Sequence, residues 1–125
     1  MPSITKESFL KDYIRGFNEG NISAFSDFYH ENVVLDLGGE LALEGRQAII
    51  DFYAERVGRI QETLSVSKLV LDEHGLACIA KGIFLAIEDC PEFILGPIAK
   101  GQSIEIEGFI FYEIENGKFT QIRAK

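Results

Sequence analysis

The chain has 125 residues, and 12 Lys plus Arg against 20 Asp plus Glu give it a formal net charge of −8. We expect a single domain over residues 1–125, because this length buries enough surface to fold without a disulfide or a metal. The acidic balance argues against binding to nucleic acids or to anionic membranes, since both need clustered basic side chains. No apolar run reaches the roughly 18 residues that a membrane span requires, and no signal-peptide pattern is present. We therefore expect a cytoplasmic protein.

Two helices are predicted at the front of the chain. Phe9, Tyr13 and Phe17 recur every four residues and form one apolar stripe, which is typical of a helix packed on a core. Gly20 suits the end of this helix, and Asn21 suits the cap of a second, shorter one. The apolar side chains of the second helix are Ile22, Phe25, Phe28 and Tyr29.

A strand and a third helix are predicted next. The segment Val33–Leu37 is β-branched and apolar, which favours a strand that Gly38 and Gly39 end. A helix is predicted from about Arg46 to about Ile60, because apolar residues recur there at helical spacing. Its stripe consists of Ile49, Phe52, Tyr53, Val57 and Ile60.

The second half of the chain is predicted to be sheet. Strands are expected over residues 63–71, 76–87 and 102–114, and the Asn116–Gly117 hairpin turn leads into a last strand that ends near Arg123. The order α-α-β-α-β-β-β-β indicates an α+β fold, with helices packed on one face of a curved antiparallel sheet.

The strand over residues 102–114 carries bulky apolar side chains on both faces. Alternation places Ile110 and Tyr112 on one face, which we expect to line the interior beneath the helices. Phe109 and Phe111 then lie on the opposite face and need a separate cover. We expect a second subunit to provide it, so the chain is predicted to form a homodimer through the outer sheet face.

No metal or cofactor is predicted. Cys78 and Cys90 lack the spacing of metal ligands, and Cys78 lies in an apolar strand where a buried, inert thiol is expected. His30 and His74 do not pair with a second ligand. The segment over residues 88–101 contains the apolar run Phe93–Leu95, which either packs on a partner or sheet edge or forms a lid over a pocket.

Several segments together resemble the nuclear transport factor 2-like superfamily, and the SnoaL-like and ketosteroid isomerase-like branches in particular. The segments are Tyr13–Asn21, Phe28–Tyr29, the strand with Asp36, Leu43–Tyr53 and Ile106–Arg123. The resemblance covers nearly the whole chain. It implies a cone-shaped, cystatin-like fold in which three amino-terminal helices wrap a curved antiparallel sheet around an apolar pocket. Proteins of this fold include isomerases, cyclases, dehydratases, epoxide hydrolases and non-catalytic binders.

The resemblance also implies roles for individual residues. Tyr13 matches the tyrosine that donates to the oxyanion in ketosteroid isomerases, and Tyr29 and Tyr53 match tyrosines that support it. The alternative is that these rings are core aromatics whose hydroxyl groups find other partners. Asp36 matches the catalytic base only if a one-residue gap is placed in its strand. Without the gap, Leu37 takes that position and Asp36 faces the opposite side.

Together these observations predict a cofactor-independent, isomerase- or cyclase-like enzyme for an apolar, carbonyl-bearing small molecule. Its catalytic residues would be Tyr13, Asp36 and Tyr53. Ile110 stands where ketosteroid isomerases carry a second aspartic acid, so classical steroid isomerisation is not expected. The alternative is a non-catalytic module for ligand binding or association. The ligand-binding residues would be Phe17, Tyr29, Ile110 and Tyr112.

Overall fold

The computed structural model describes residues 4–38, 42–93 and 95–124, so Gly39 and Ile94, named above, lie outside the described residues. Helix α1 covers residues 6–18 in three consecutive stretches, Lys6–Ser8, Phe9–Ile14 and Arg15–Asn18. Helix α2 is Ile22–Ser26 and helix α3 is Arg46–Arg56. The strands are β1 Tyr29–Asp36, β2 Ala42–Glu44, β3 Ile60–Leu71, β4 Gly75–Ala86, β5 Ser103–Glu115 and β6 Lys118–Ala124.

The six strands form one curved sheet in the order β2-β1-β6-β5-β4-β3. The predicted α+β class and element order are confirmed, with the short strand β2 as an addition. The sheet is not wholly antiparallel as predicted, because β1 runs parallel to β6. Such a pair needs a long crossover connection, and here the connection is the rest of the sheet together with helix α3. The first strand of the chain therefore lies beside the last one.

Helix α1 is π-helical in its middle stretch, Phe9–Ile14. A reciprocal capping box between Thr5 and Ser8 begins the helix, which satisfies backbone donors at its first turn. The wider π turn keeps Phe9 and Tyr13 on the buried side, where their rings stack with centroids 5.3 Å apart. Single π turns inside helices are frequent at functional sites. The π turn therefore marks Tyr13 as a candidate functional residue.

Helix α3 ends at Arg56, which is four residues earlier than the apolar stripe predicts. Val57 leaves the helical conformation with ψ 127°, and Gly58 has φ 87°, a region that favours glycine. Ile60 instead begins β3 and pairs with Ala86 of β4. Strand pairing thus overrides the local helical pattern. The early end leaves Arg56 in the last turn of the helix, close to the start of β3.

The core lies between helix α1 and the inner face of the sheet, and it is mainly aromatic. Tyr13 packs edge-on against Tyr112 and Phe119, with centroids 5.8 and 5.3 Å away. Such contacts contribute about 0.5–1.5 kcal/mol each beyond simple area burial. Tyr29, predicted on the second helix, begins β1 instead, where it pairs with Phe119. The aromatic core therefore joins three adjacent strands, β1, β6 and β5, to helix α1.

The opposite face of the sheet carries large exposed apolar side chains. Phe109 is 64% exposed, Val70 54% and Phe111 42%. Phe109 and Phe111 lie with Val70 in one surface depression, as expected for the outer face, although Phe109 also borders the cavity on the inner side. Among the described residues, no helix is long and apolar enough to cross a membrane.

Candidate functional site

A cavity of about 450 Å³ lies between the helices and the inner face of the sheet. This size suits a small organic ligand. Most of its wall is apolar, with leucine, isoleucine, phenylalanine and small residues from β1, β4 and β5. Six of the seven predicted site residues line it, namely Tyr13, Phe17, Tyr29, Tyr53, Ile110 and Tyr112. The resemblance had singled out the three tyrosines, and the alternation of β5 had placed Ile110 and Tyr112 on the inner face.

Asp36 is the predicted site residue that does not line the cavity. Its neighbours Leu35 and Leu37 do so, and alternation along the strand directs Asp36 to the other face. The Asp36 carboxylate folds back on its own turn, where Oδ1 accepts a hydrogen bond from the backbone N–H of Gly38 at 2.8 Å. The orientation obtained by placing a gap in the strand is therefore wrong, and the ungapped alternative is correct.

Two tyrosine hydroxyl groups meet at the wall of the cavity. The Oη atoms of Tyr13 and Tyr29 are 2.8 Å apart, so one hydroxyl donates a hydrogen bond to the other. Burial raises the pKa of both phenols well above the ordinary value of 10.0. Both groups therefore keep their protons at neutral pH. A side-chain hydrogen bond with Tyr112 also affects the pKa of Tyr13, so three hydroxyl groups share their hydrogens and one hydrogen is left to donate to a ligand oxygen.

Tyr53 lines the same cavity but packs mainly as an aromatic side chain. Its ring lies edge-on to Phe17 and Phe25, with centroids 5.3 and 5.5 Å away. Among the described residues, no hydrogen bond joins Tyr53 to the Tyr13–Tyr29 pair. Burial and the nearby Glu62 carboxylate raise the pKa of its phenol. The expected network of three tyrosines is therefore a hydrogen-bonded pair with a third hydroxyl elsewhere on the wall.

An ion pair, Arg56 with Glu62, forms the charged part of the cavity wall. Nη1 of Arg56 donates to Oε1 of Glu62 at 3.1 Å, and the two side chains are only 18% and 16% exposed. Burial raises the pKa of Glu62 to about 7, although the guanidinium of Arg56 and its hydrogen bond act in the opposite direction. A carboxyl group that titrates near neutral pH in an apolar cavity is suited to proton transfer.

Neither member of this pair was predicted as a site residue. Arg56 lay inside a predicted helix, and Glu62 stood just before a predicted strand. One signal was available in the sequence. Glu62 precedes Leu64 by two residues, so both side chains lie on the same face of β3, and that face lines the cavity.

The segment over residues 88–101 contributes Leu95 to the cavity wall. Phe93 of the same segment packs against Phe84 of β4 with centroids 5.6 Å apart. The guanidinium of Arg56 lies 4.3 Å from the ring of Phe52 and 5.4 Å from the ring of Phe93. The position of Leu95 fits a lid over the cavity, and the contact of Phe93 with Phe84 fits packing of the segment on the sheet. The contact of Phe93 with Arg56 links the segment directly to the charged pair.

The other titratable candidates have no catalytic arrangement. Burial raises the pKa of the Cys78 thiol to about 11, so it stays protonated and unreactive. Cys90 is also a buried free cysteine. In the part of the chain that the structure describes, no three His, Cys, Asp or Glu residues cluster as metal ligands would.

Comparisons with known proteins agree with this architecture. Residues 10–122 match the family model of the SnoaL-like domain, as the resemblance predicted. A candidate polyketide cyclase from Xanthomonas campestris superposes with a TM-score of 0.79 at 21% identity, covering 94% of this chain and 87% of that one. No curated protein matches the chain in sequence.

Two further solved structures share the fold at lower identity. An LEH-like epoxide hydrolase from Mycobacterium tuberculosis has a TM-score of 0.75 at 9% identity, covering 92% of this chain and 77% of that one. A cystatin-fold protein from Novosphingobium aromaticivorans has a TM-score of 0.73 at 10% identity, covering 98% and 99%. Similarity at this level shows the fold and not the reaction.

Proposed function

We propose that this chain, which belongs to the SnoaL-like family, is an acid–base enzyme acting on an apolar, carbonyl-bearing small molecule. The reaction would be an isomerisation, or a cyclisation of the kind that the name of the Xanthomonas campestris structure suggests. The observation that carries the proposal is Glu62, whose carboxyl group has a pKa of about 7 at the wall of an apolar cavity. At neutral pH both its protonated and ionised forms are present.

Glu62 supplies the proton transfer in this proposal. The ionised carboxylate takes a proton from a carbon atom next to the substrate carbonyl, and the electron pair of the broken C–H bond moves to the carbonyl oxygen. The protonated carboxyl returns the same proton to another carbon, which completes an isomerisation. In a cyclisation, the protonated form gives its proton to the oxygen that gains charge as the ring closes. No group other than the substrate and Glu62 changes its proton count.

The Tyr13–Tyr29 pair supplies the hydrogen bond to the oxygen that gains charge. Tyr13 shares hydrogen bonds with Tyr29, at 2.8 Å between the Oη atoms, and with Tyr112, and in this proposal the one hydrogen left over is donated to the substrate. The hydroxyls act as donors because burial raises the pKa of both phenols. Loss of one such donor typically costs about 10²–10³ in rate.

The proposal can be tested without knowing the natural substrate. 2-Tetralone is an apolar bicyclic ketone, and exchange of its hydrogens next to the carbonyl with solvent deuterium is measured by proton NMR. We expect the wild-type protein to accelerate this exchange, Glu62→Gln to abolish the acceleration, and Tyr13→Phe to reduce it by about 10²-fold. Glu88→Gln is the matched control, because Glu88 pairs with Arg59 and is 54% exposed. Wild-type exchange no faster than buffer would contradict the proposal.

The second candidate is a non-catalytic ligand-binding module of the same fold. The orientation of Asp36 favours it, because the aspartate expected to act as base does not line the cavity. This alternative predicts that 2-tetralone binds, and that its hydrogens exchange equally fast in the presence of the wild-type protein and of Glu62→Gln. The same NMR experiment therefore separates the two candidates.

We also propose that a second copy of the chain covers the outer sheet face. Phe109, Phe111 and Val70 form an exposed apolar patch there. Charges of both signs surround the patch, including the pairs Lys81–Glu105 and Arg123–Glu113. A rim with both signs can be complementary to itself across a twofold axis, which favours a homodimer over an unrelated partner.

A further inference from the structure

We infer that the cavity binds apolar molecules that carry a carboxylate, and that Arg56 binds this carboxylate in place of ionised Glu62. The inference names the substrate class of the proposed enzyme and rests on that proposed function only for the reaction that follows binding. It depends on the geometry of Arg56, on the composition of the cavity wall and on the charge balance inside the cavity.

Arg56 has hydrogen-bond donors to spare. A guanidinium carries five N–H donors in one plane. Among the described residues, the side chain of Arg56 donates one hydrogen bond, from Nη1 to Oε1 of Glu62 at 3.1 Å. The pair is therefore joined at a single point and leaves donors free for the two-point contact that a carboxylate makes with arginine. The rings of Phe52 and Phe93, 4.3 and 5.4 Å from the guanidinium carbon, restrict its movement.

The rest of the cavity suits the apolar body of such a ligand. Of the described residues that line it, Arg56 and Glu62 are the charged ones, so Arg56 is the cation that an anionic ligand would meet. Leu64 and Phe84 lie on the same sheet face as Glu62, next to the charged pair. A carboxylate on Arg56 would therefore leave the attached hydrocarbon against apolar side chains.

Charge balance links ligand binding to the proton on Glu62. The ionisable groups that interact electrostatically with this carboxyl are Arg56 and Tyr53 from helix α3 and Tyr29 from β1, and of these Arg56 alone is positive. A second carboxylate on Arg56 would leave one buried negative charge without compensation. Glu62 consequently takes up a proton when the ligand binds. A carboxylate substrate therefore fits the proposed cyclisation, in which protonated Glu62 is the proton donor, and not the isomerisation, which begins with ionised Glu62.

The test uses 2-naphthoate and its uncharged analogue 2-naphthamide in isothermal titration calorimetry. At pH 6 we expect naphthoate to bind at least tenfold more tightly than the amide. From pH 6 to pH 8 its affinity should fall about tenfold, because the protonated fraction of a group with a pKa of about 7 falls by that factor. Titrations in buffers of different ionisation enthalpy should show uptake of about one proton at pH 8. The affinity for the amide should not change.

Three variants separate this proposal from a structural role of Arg56. Arg56→Met should remove the preference for naphthoate, whereas the matched control Arg59→Met, whose arginine pairs with Glu88, should keep it. Because Arg56→Met leaves Glu62 without its partner, Glu62→Gln provides an independent measurement. It should bind naphthoate at least as tightly as wild type, with no pH dependence and no proton uptake.

Equal affinities of wild type for the two probes, or pH-dependent naphthoate binding that persists in Glu62→Gln, would overturn the inference. Binding requires no turnover, so the two proposals fail separately. Naphthoate preference without exchange of 2-tetralone supports the carboxylate site and contradicts the enzyme. Exchange of 2-tetralone without a preference for naphthoate supports the enzyme and contradicts the carboxylate site.

Discussion

Glu62 should make the stability of this protein fall as pH rises through the acidic range. The folded chain holds the Glu62 proton up to a pKa of about 7, whereas the unfolded chain releases it near the ordinary value of 4.5. Between these values the folded state binds more protons, so raising the pH favours unfolding. The contribution is fully present below about pH 4.5 and is lost by about pH 7. The whole effect amounts to about 3 kcal/mol, and about 2.5 kcal/mol of it falls between pH 5 and pH 8.

The measurement is the difference between wild type and Glu62→Gln, because glutamine keeps the shape of the side chain but does not titrate. Urea unfolding followed by far-UV circular dichroism at pH 5 and pH 8 gives the free energy of unfolding, and the chain contains no Trp to follow by fluorescence. Wild type should lose about 2.5 kcal/mol more than the variant over this range. Glu88→Gln should behave as wild type. Equal losses in wild type and Glu62→Gln would refute the shifted pKa of Glu62 and weaken its role as proton carrier.

Two further predictions follow from the placement of single side chains. Asp36→Asn should leave the exchange of 2-tetralone and the affinity for naphthoate within about twofold of wild type, because the carboxylate of Asp36 contacts Gly38 and not the cavity. The exchange is measured by NMR and the affinity by calorimetry. A loss of more than tenfold in either would show that Asp36 belongs to the functional site. Phe109→Glu should convert a dimer into a monomer in sedimentation experiments at micromolar concentration while the circular dichroism spectrum stays unchanged, since Phe109 is 64% exposed. A wild-type protein that is monomeric at all concentrations would contradict the dimer.

Much of the fold and of the pocket wall could be predicted from short-range spacing. The four-residue spacing of Tyr13 and Phe17 placed both on the buried side of helix α1, and alternation placed Ile110 and Tyr112 on the inner face of β5. The π turn within α1 had no visible signal, because the spacing is compatible with an ordinary helix. The resemblance left the orientation of Asp36 open, because only a one-residue gap turns it inward, and the structure has the register without the gap.

The sequence by itself determined which faces of the helices and strands are apolar, and therefore the α+β class, the aromatic core and most of the cavity wall. These properties depend on the periodicity of neighbouring residues, which the chain carries locally. Only the tertiary structure decided the charged pair. Arg56 and Glu62 meet because β3 pairs with β4 and so ends helix α3 early. The pKa of Glu62 rises because distant helices and strands together exclude water from its carboxyl group, and such desolvation is a property of the assembled fold.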